Sequence, residues 1–178
     1  MSADNQNIVI TAATRTAIGS FCGSLKDMQA NDLGALVVKA AMKKSNLNSK
    51  DVDELIMGQV LTGGTGQNPA RQAAIQAGIP IEKTAYVINQ VCGSGLRSVA
   101  AGYQSIVSND SKVIIAGGQE SMTNAPHAIL FRNGKKLDES NLVDTMIKDG
   151  LWDTFNGYHM GVTAENVAAK WQITRKDQ

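Results

Sequence analysis

The chain has 178 residues, of which 43% are hydrophobic and 4% aromatic, and its formal net charge is +1. That length supports one domain with a real core and part of a second, while balanced charge and scarce aromatics exclude the basic field and stacking platform of a nucleic-acid binder. No apolar run approaches the length of a membrane span and the first residues carry no leader pattern. The two cysteines, Cys22 and Cys92, have no C-x-x-C or His/Cys cluster beside them, so neither a disulfide framework nor a metal site is expected, and the chain reads as cytoplasmic.

Ile8-Val-Ile-Thr-Ala12 reads as a first strand, and Asp32 to Lys44, with Leu33, Leu36, Val37, Ala40 and Ala41 at helical spacing, reads as a helix. Glu54 to Val60 is the second expected strand. Asn68-Pro69 then supplies a cap and a first-turn proline for a helix over Ala70 to Ala77, closed by Gly78 and Pro80. A third strand, about Tyr86 to Gln90, runs into Val91-Cys-Gly-Ser-Gly95 and a further helix. Leu96, Val99, Ala100, Tyr103, Ile106 and Val107 share one face of that helix, Asn109-Asp110 stop it, and Val113 to Ala116 reads as the next strand. The helix's other face, Ser98, Ala101, Gly102 and Ser105, is small and uncharged, so the helix is expected to be buried on both sides, with the small face awaiting a missing layer or another subunit.

The resulting order, βαβαβαβ, predicts an α/β fold with a mostly parallel sheet covered by helices. Functional loops of such sheets gather at the carboxyl ends of the strands, where Cys92, the loop from Leu61 to Gln67 and the turn Gly117-Gly-Gln-Glu120 all fall. After Glu120 the periodicity stops. From Ser121 to about Asp138 there are turn residues, Pro126 and the basic run Arg132-Asn-Gly-Lys-Lys136, an excursion long enough to be functional or interfacial. A short helix is predicted over Thr163 to Trp171, and Thr174-Arg-Lys-Asp177 has the spacing of a capping box that opens a helix not continued in the chain. The expected division is a domain over 1–120 and the beginning of another over 121–178, in a chain that reads as a fragment.

Cys92 is the leading candidate for chemistry. A helix start offers an anion its unpaired backbone N–H groups and the positive end of its dipole, so a thiol at this strand-to-helix turn reads as a nucleophile rather than as a small apolar residue seeking burial. Cys22, between Phe21 and Gly23 in a loop, takes the bland reading. Other motifs are weaker. Gly93-Ser-Gly-Leu-Arg-Ser98 approaches a dinucleotide fingerprint but has Ser98 at the third glycine position, with Glu120 as a late acid. Gly63-Gly-Thr-Gly66 lacks the Gly-Lys-Ser/Thr ending of a phosphate loop, and Ser94 lacks the G-x-S-x-G spacing of an elbow serine.

Asn89-Gln-Val-Cys-Gly-Ser-Gly-Leu-Arg-Ser98 resembles the acyl-enzyme signature of thiolases, and Ala116-Gly-Gly-Gln-Glu-Ser-Met-Thr-Asn-Ala-Pro-His127 resembles a second thiolase motif. The likeness runs from Arg15-Thr16 through Gly64 to Arg71 and on to Gly157-Tyr-His-Met-Gly-Val-Thr-Ala-Glu-Asn166, with Ala17 where relatives commonly have proline. It is strongest toward the acetyl-CoA acetyltransferase branch. The resemblance implies a thiolase-like fold with a loop domain inserted after the first sheet, and a thioester exchange on Cys92 that condenses two acetyl-CoA or cleaves a 3-ketoacyl-CoA. Coenzyme A and acyl-CoA then enter as substrates, with no resident cofactor. It further implies that Leu151, His159 and Met160 line the acyl-CoA cleft, that His127 is structural, and that the parent forms dimers or tetramers, with 121–142 similar to a tetramer-forming loop. Family members are about twice as long, and their activating histidine, second cysteine and water-holding asparagine match nothing in this chain, so little activity is expected from it alone. The alternatives are another condensing enzyme, such as a ketoacyl synthase, and a non-catalytic fragment that only oligomerises.

Overall fold

In the computed structural model, which describes residues 7–132, 134 and 142–178, local signals set the helix ends. Helix α1 runs Ala30–Lys44, and it starts ahead of the apolar stripe because Gln29 and Asp32 close a capping box, Gln29 N–H donating to Asp32 Oδ2 at 3.1 Å. Helix α2 is Pro69–Ala77. Asn68 Oδ1 accepts from Arg71 N–H at 3.1 Å at its start, and Gly78 closes it at φ 89°, a left-handed conformation that costs glycine nothing. Helix α3 is Ser94–Val107 and helix α4 is Met160–Trp171.

Strands β1 (Glu54–Gly58), β2 (Thr84–Ile88) and β3 (Ile114–Gly118) form a parallel sheet in the order β2-β1-β3, with Glu54 opposite both Thr84 and Ile114. The central strand is the apolar run Leu55-Ile-Met57, fully buried as a strand covered on both faces must be. Its pleat divides the core. Leu55 and Met57 pack with Ala35, Val38 and Met42 of α1 and with Ala70, Ala73, Ala74 and Ala77 of α2, whereas Gly58, together with Ile114, Ala116 and Gly118 of β3, meets α3.

Two expectations are corrected here. Ile8–Ala12 joins no ladder among the described residues, and Val9 and Ile10 are exposed. Residues 8–16 instead line a cavity of about 610 Å³ together with residues of α1, α3 and β3. The β propensity of Ile-Val-Ile is thus not realised as a ladder, and the observed order of this region is αβαβαβ. The second correction concerns α3, whose small face packs on the sheet. Ser94, Ser98 and Gly102 are buried while Leu96, Val99, Tyr103 and Val107 are exposed. The large apolar face is therefore the one turned away from the sheet. The sheet explains the choice, because β1 and β3 both end in glycine and the helix backbone settles onto bare strands, leaving room only for the smallest side chains.

The chain divides into two compact units, Met1–Asn124 and Ala125–Gln178. The second contains two short antiparallel pairs, β4 (His127–Ala128) with β5 (Val143–Asp144) and β6 (Trp152–Asp153) with β7 (Tyr158–His159). A π-helical turn, Met146–Leu151, links the pairs, and α4 follows. Of the basic run, Asn133, Lys135 and Lys136 lie outside the described residues, as does Asp138. The capping box forms as expected, with Thr174 N–H donating to Asp177 Oδ2 at 2.9 Å and Asp177 N–H to Thr174 Oγ1 at 3.2 Å.

Candidate active site

The strand-to-helix turn is built from short-range hydrogen bonds. Gly93 N–H donates to Gln90 O at 3.0 Å, closing a turn in which Val91 has φ 49°, and Asn89 Oδ1 accepts from Val91 N–H at 2.8 Å. Cys92 follows and is exposed. Gly93 is the N-cap of α3, so the thiol sits immediately ahead of that helix.

Beneath the turn, three glycines let backbones meet. A Cβ built on Gly58 would lie 2.6 Å from Gly95 N and 2.7 Å from Ser94 Cβ, and one on Gly118 would lie 3.4 Å from Gly95 Cα. The ends of β1 and β3 therefore meet the first turn of α3 largely through main chain. Ser98 completes this junction: its fully buried Oγ lies 2.6 Å from Gly95 O and 2.7 Å from Gly117 O, with one proton to give between them.

The expected convergence of loops is also present. Gln59 N–H donates to Ile88 O at 3.1 Å and Gln119 N–H to Gly58 O at 2.9 Å. Gln119 Nε2 reaches Gln59 Oε1 at 2.9 Å, and Gln59 Nε2 reaches Leu61 O at 3.0 Å. Glu120 accepts from Val60 N–H at 2.8 Å and from Leu61 N–H at 3.3 Å. Burial pushes the Glu120 carboxyl above the usual carboxylate range against the opposing pull of these N–H donors. With both oxygens committed to main chain, Glu120 is a loop clamp and not a ribose ligand.

Leu151, His159 and Met160 belong to the second unit, which gathers them at one end of the β6–β7 pair. Trp152 lies opposite His159, so Leu151 and Met160 are the next positions along that register. His159 is the N-cap of α4, and its Nδ1 accepts from Gly161 N–H at 2.9 Å. A ring nitrogen that accepts carries no proton, which leaves Nε2–H as the donor of the neutral ring. His127 stands opposite Asp144 in the β4–β5 pair, its Nε2 3.9 Å from Asp144 Oδ2. Cys22 lies in an exposed turn and gives its N–H to Thr123 Oγ1 at 3.0 Å. Among the described residues no group of His, Cys, Asp and Glu is placed to hold a metal ion.

Sequence reasoning missed the Gly58 contact and the Ser94 hydroxyl. A glycine ending an otherwise bulky apolar strand was the available signal for the first; nothing short of the turn geometry reveals the second.

An exposed cysteine between a parallel strand and the start of the helix packed on that sheet defines an α/β protein that presents a thiol at a strand-to-helix turn. Residues 8–178 match the family described as thiolase, N-terminal domain, and the chain belongs to that family. It is 57% identical over 174 residues to an acetyl-CoA acetyltransferase of Rhizobium meliloti (strain 1021), covering 98% of this chain and 44% of that protein. It is 47% identical over 178 residues to the cytosolic acetyl-CoA acetyltransferase of Rattus norvegicus, covering 100% of this chain and 45% of the relative. Among solved structures, the Acat5 thiolase from Ascaris suum in complex with coenzyme A superposes with a TM-score of 0.83 at 38% identity, covering 91% of this chain and 42% of the other. The chain thus spans less than half the length of the relatives it matches.

Proposed function

We propose that this chain supplies the nucleophile of an acetyl-CoA acetyltransferase. The observation that carries the reading is the exposed Cys92 at the junction of β2 and α3; the names of the relatives and the coenzyme A bound in the similar structure support the substrate class. In the proposed sequence, Cys92 Sγ attacks the thioester carbonyl carbon of acetyl-CoA, the tetrahedral intermediate expels coenzyme A as its thiolate, and acetyl remains on sulfur. A second acetyl-CoA, deprotonated at its methyl group, attacks the acetyl-cysteine carbonyl, releasing Cys92 and forming acetoacetyl-CoA. The reverse sequence cleaves a 3-ketoacyl-CoA with coenzyme A. Sulfur suits the task because the intermediate is itself a thioester, near the substrate in energy. The Cys92 main-chain N–H at the helix start is a donor of the kind that stabilises the tetrahedral oxyanion, a contact class worth about 3–4 kcal/mol.

In this reading His159, through Nε2–H, with Leu151 and Met160, contacts the acyl-CoA; no resident cofactor takes part, and the parent is a cytoplasmic homo-oligomer. Among the described residues no helix is long and apolar enough to cross a membrane, and the rat relative's printed name is in keeping with a cytosolic setting. The chain covers 44% of the length of the Rhizobium relative, and in this reading the groups that activate Cys92 and deprotonate the second substrate come from the part it does not cover, so the chain alone is expected to turn over negligibly. The test is peptide mass spectrometry after incubation with acetyl-CoA, on a protein of the relatives' length that contains this chain. One acetyl group on Cys92 is expected; acetyl on another residue, or none in an active enzyme, refutes the proposal.

A further inference from the structure

Val91 is the anomaly of the turn. Its φ of 49° lies in the left-handed region, which a β-branched residue avoids because Cβ crowds the following carbonyl. Something must hold it there, and the nearest hardware is Ser94. That side chain is buried, with 4% of its surface exposed; its Oγ accepts from Gln90 N–H at 2.8 Å and donates to Val91 O at 2.5 Å. The hydroxyl thus grips the peptide on each side of the turn's entry, while Asn89 Oδ1 holds Val91 N–H and Ser94 N–H reinforces Val91 O at 3.1 Å. Both of the Oγ contacts go to the residues that precede Cys92, and Ser94 itself is wedged against the end of β1, where Gly58 makes space for it.

We propose that Ser94 is a positioning residue for Cys92: its hydroxyl clasps the Gln90–Gly93 turn, holds Val91 at positive φ, and so fixes where the thiol stands ahead of α3. The reading rests on Cys92 being the acyl-carrying nucleophile, yet it is testable without substrate. A serine that merely satisfies its own buried hydroxyl would not depend on which residue occupies position 91. A clasp that opposes backbone strain would, because glycine adopts positive φ unaided.

The experiment is alkylation of the 178-residue chain by iodoacetamide, with the Cys92 and Cys22 peptides quantified in the same sample so that Cys22, exposed in another turn, serves as the internal reference. Ser94→Ala is expected to lower the Cys92:Cys22 rate ratio roughly fivefold, the scale set by one unfavourable left-handed residue. Val91→Gly alone is expected to leave the ratio unchanged, and Val91→Gly/Ser94→Ala to restore it to within about twofold, since glycine needs no clasp. An unchanged ratio in Ser94→Ala, or a double variant no better than Ser94→Ala, overturns the proposal. If Ser94→Ala does not fold by circular dichroism, a folded double variant supports the clasp and an unfolded one refutes it. Acetyl-CoA labelling is scored separately, on the protein of the relatives' length: intact alkylation behaviour with an active enzyme that carries no acetyl on Cys92 refutes the proposed function and leaves the positioning role standing.

Discussion

Replacing Gly58 with alanine inserts one methyl group where the end of β1 meets the first turn of α3. The new Cβ would press closest on the Ser94 carbonyl carbon and would stand 2.6 Å from Gly95 N, short of an ordinary 3.4 Å contact by about 0.8 Å, and 2.7 Å from Ser94 Cβ. The nearest obstacle is main chain, so no rotamer change relieves the overlap; α3 or β1 must move. Overpacking costs typically 1–3 kcal/mol, and a clash against backbone belongs at the upper end, about 3 kcal/mol. At about 2–4 °C per kcal/mol for a chain of this size, Gly58→Ala should lower Tm by roughly 6–12 °C. The control is Gly117→Ala, whose Cβ would meet nothing closer than Met57 Sδ at 3.9 Å, and which should shift Tm by about 2 °C or less. Thermal melts followed by circular dichroism compare the two on one strand end each. Equal shifts would show that the glycine contact does not hold helix to sheet.

Asp53 and Glu120 titrate in opposite senses. Lys112 N–H, at 2.8 Å, and Val113 N–H, at 3.0 Å, donate to Asp53 Oδ2, while Lys83 Nζ stands 3.1 Å from Oδ1, and these contacts, Lys112 first, hold the Asp53 carboxyl below its usual range. Its folded pKa being depressed, its contribution is present above the unfolded value of about 3.9 and is lost as pH falls through the folded one, so the stability gap between wild type and Asp53→Asn should close on acidification in urea titrations. A gap independent of pH would contradict this. For Glu120 the folded pKa is raised by burial, so its contribution is full below the unfolded value and is lost as pH rises through the folded one. The stability of wild type relative to Glu120→Gln should therefore decline with rising pH. A rise instead would mean that the Val60 and Leu61 N–H donors outweigh burial.

Much of the fold was legible because its signals are local. Asn68, Pro69 and Gly78 bracket α2 by chemistry that acts within a turn, and Leu55-Ile-Met57 announces a covered strand by composition alone. Cys92 was legible for the same reason, lying between a strand pattern and a helix pattern. What failed depended on distant neighbours. Ile8–Ala12 has strand chemistry but a ladder is decided by what stands beside it, and these residues join none among the described residues. The faces of α3 were assigned by hydrophobicity, yet Gly58 and Gly118 reward close backbone approach, so Ser98 and Gly102 face the sheet in place of Leu96 and Tyr103. The positions of Leu151, His159 and Met160 at one end of a hairpin came from a two-residue ladder too short to leave a periodic trace.

The division of the sheet into a face that packs side chains on α1 and α2 and a face where glycines bring main chain to α3 bears on which substitutions the chain tolerates. Toward α1 and α2, Leu55 and Met57 meet side chains, most of them alanine, so a volume-conserving apolar swap there can be accommodated. Toward α3, where main chain meets main chain at Gly58, Gly95 and Gly118, there is nothing to repack. A saturation library along β1 and β3 should therefore alternate, one position permissive and the next closed, and the closed positions trace the seam on which the thiol is mounted.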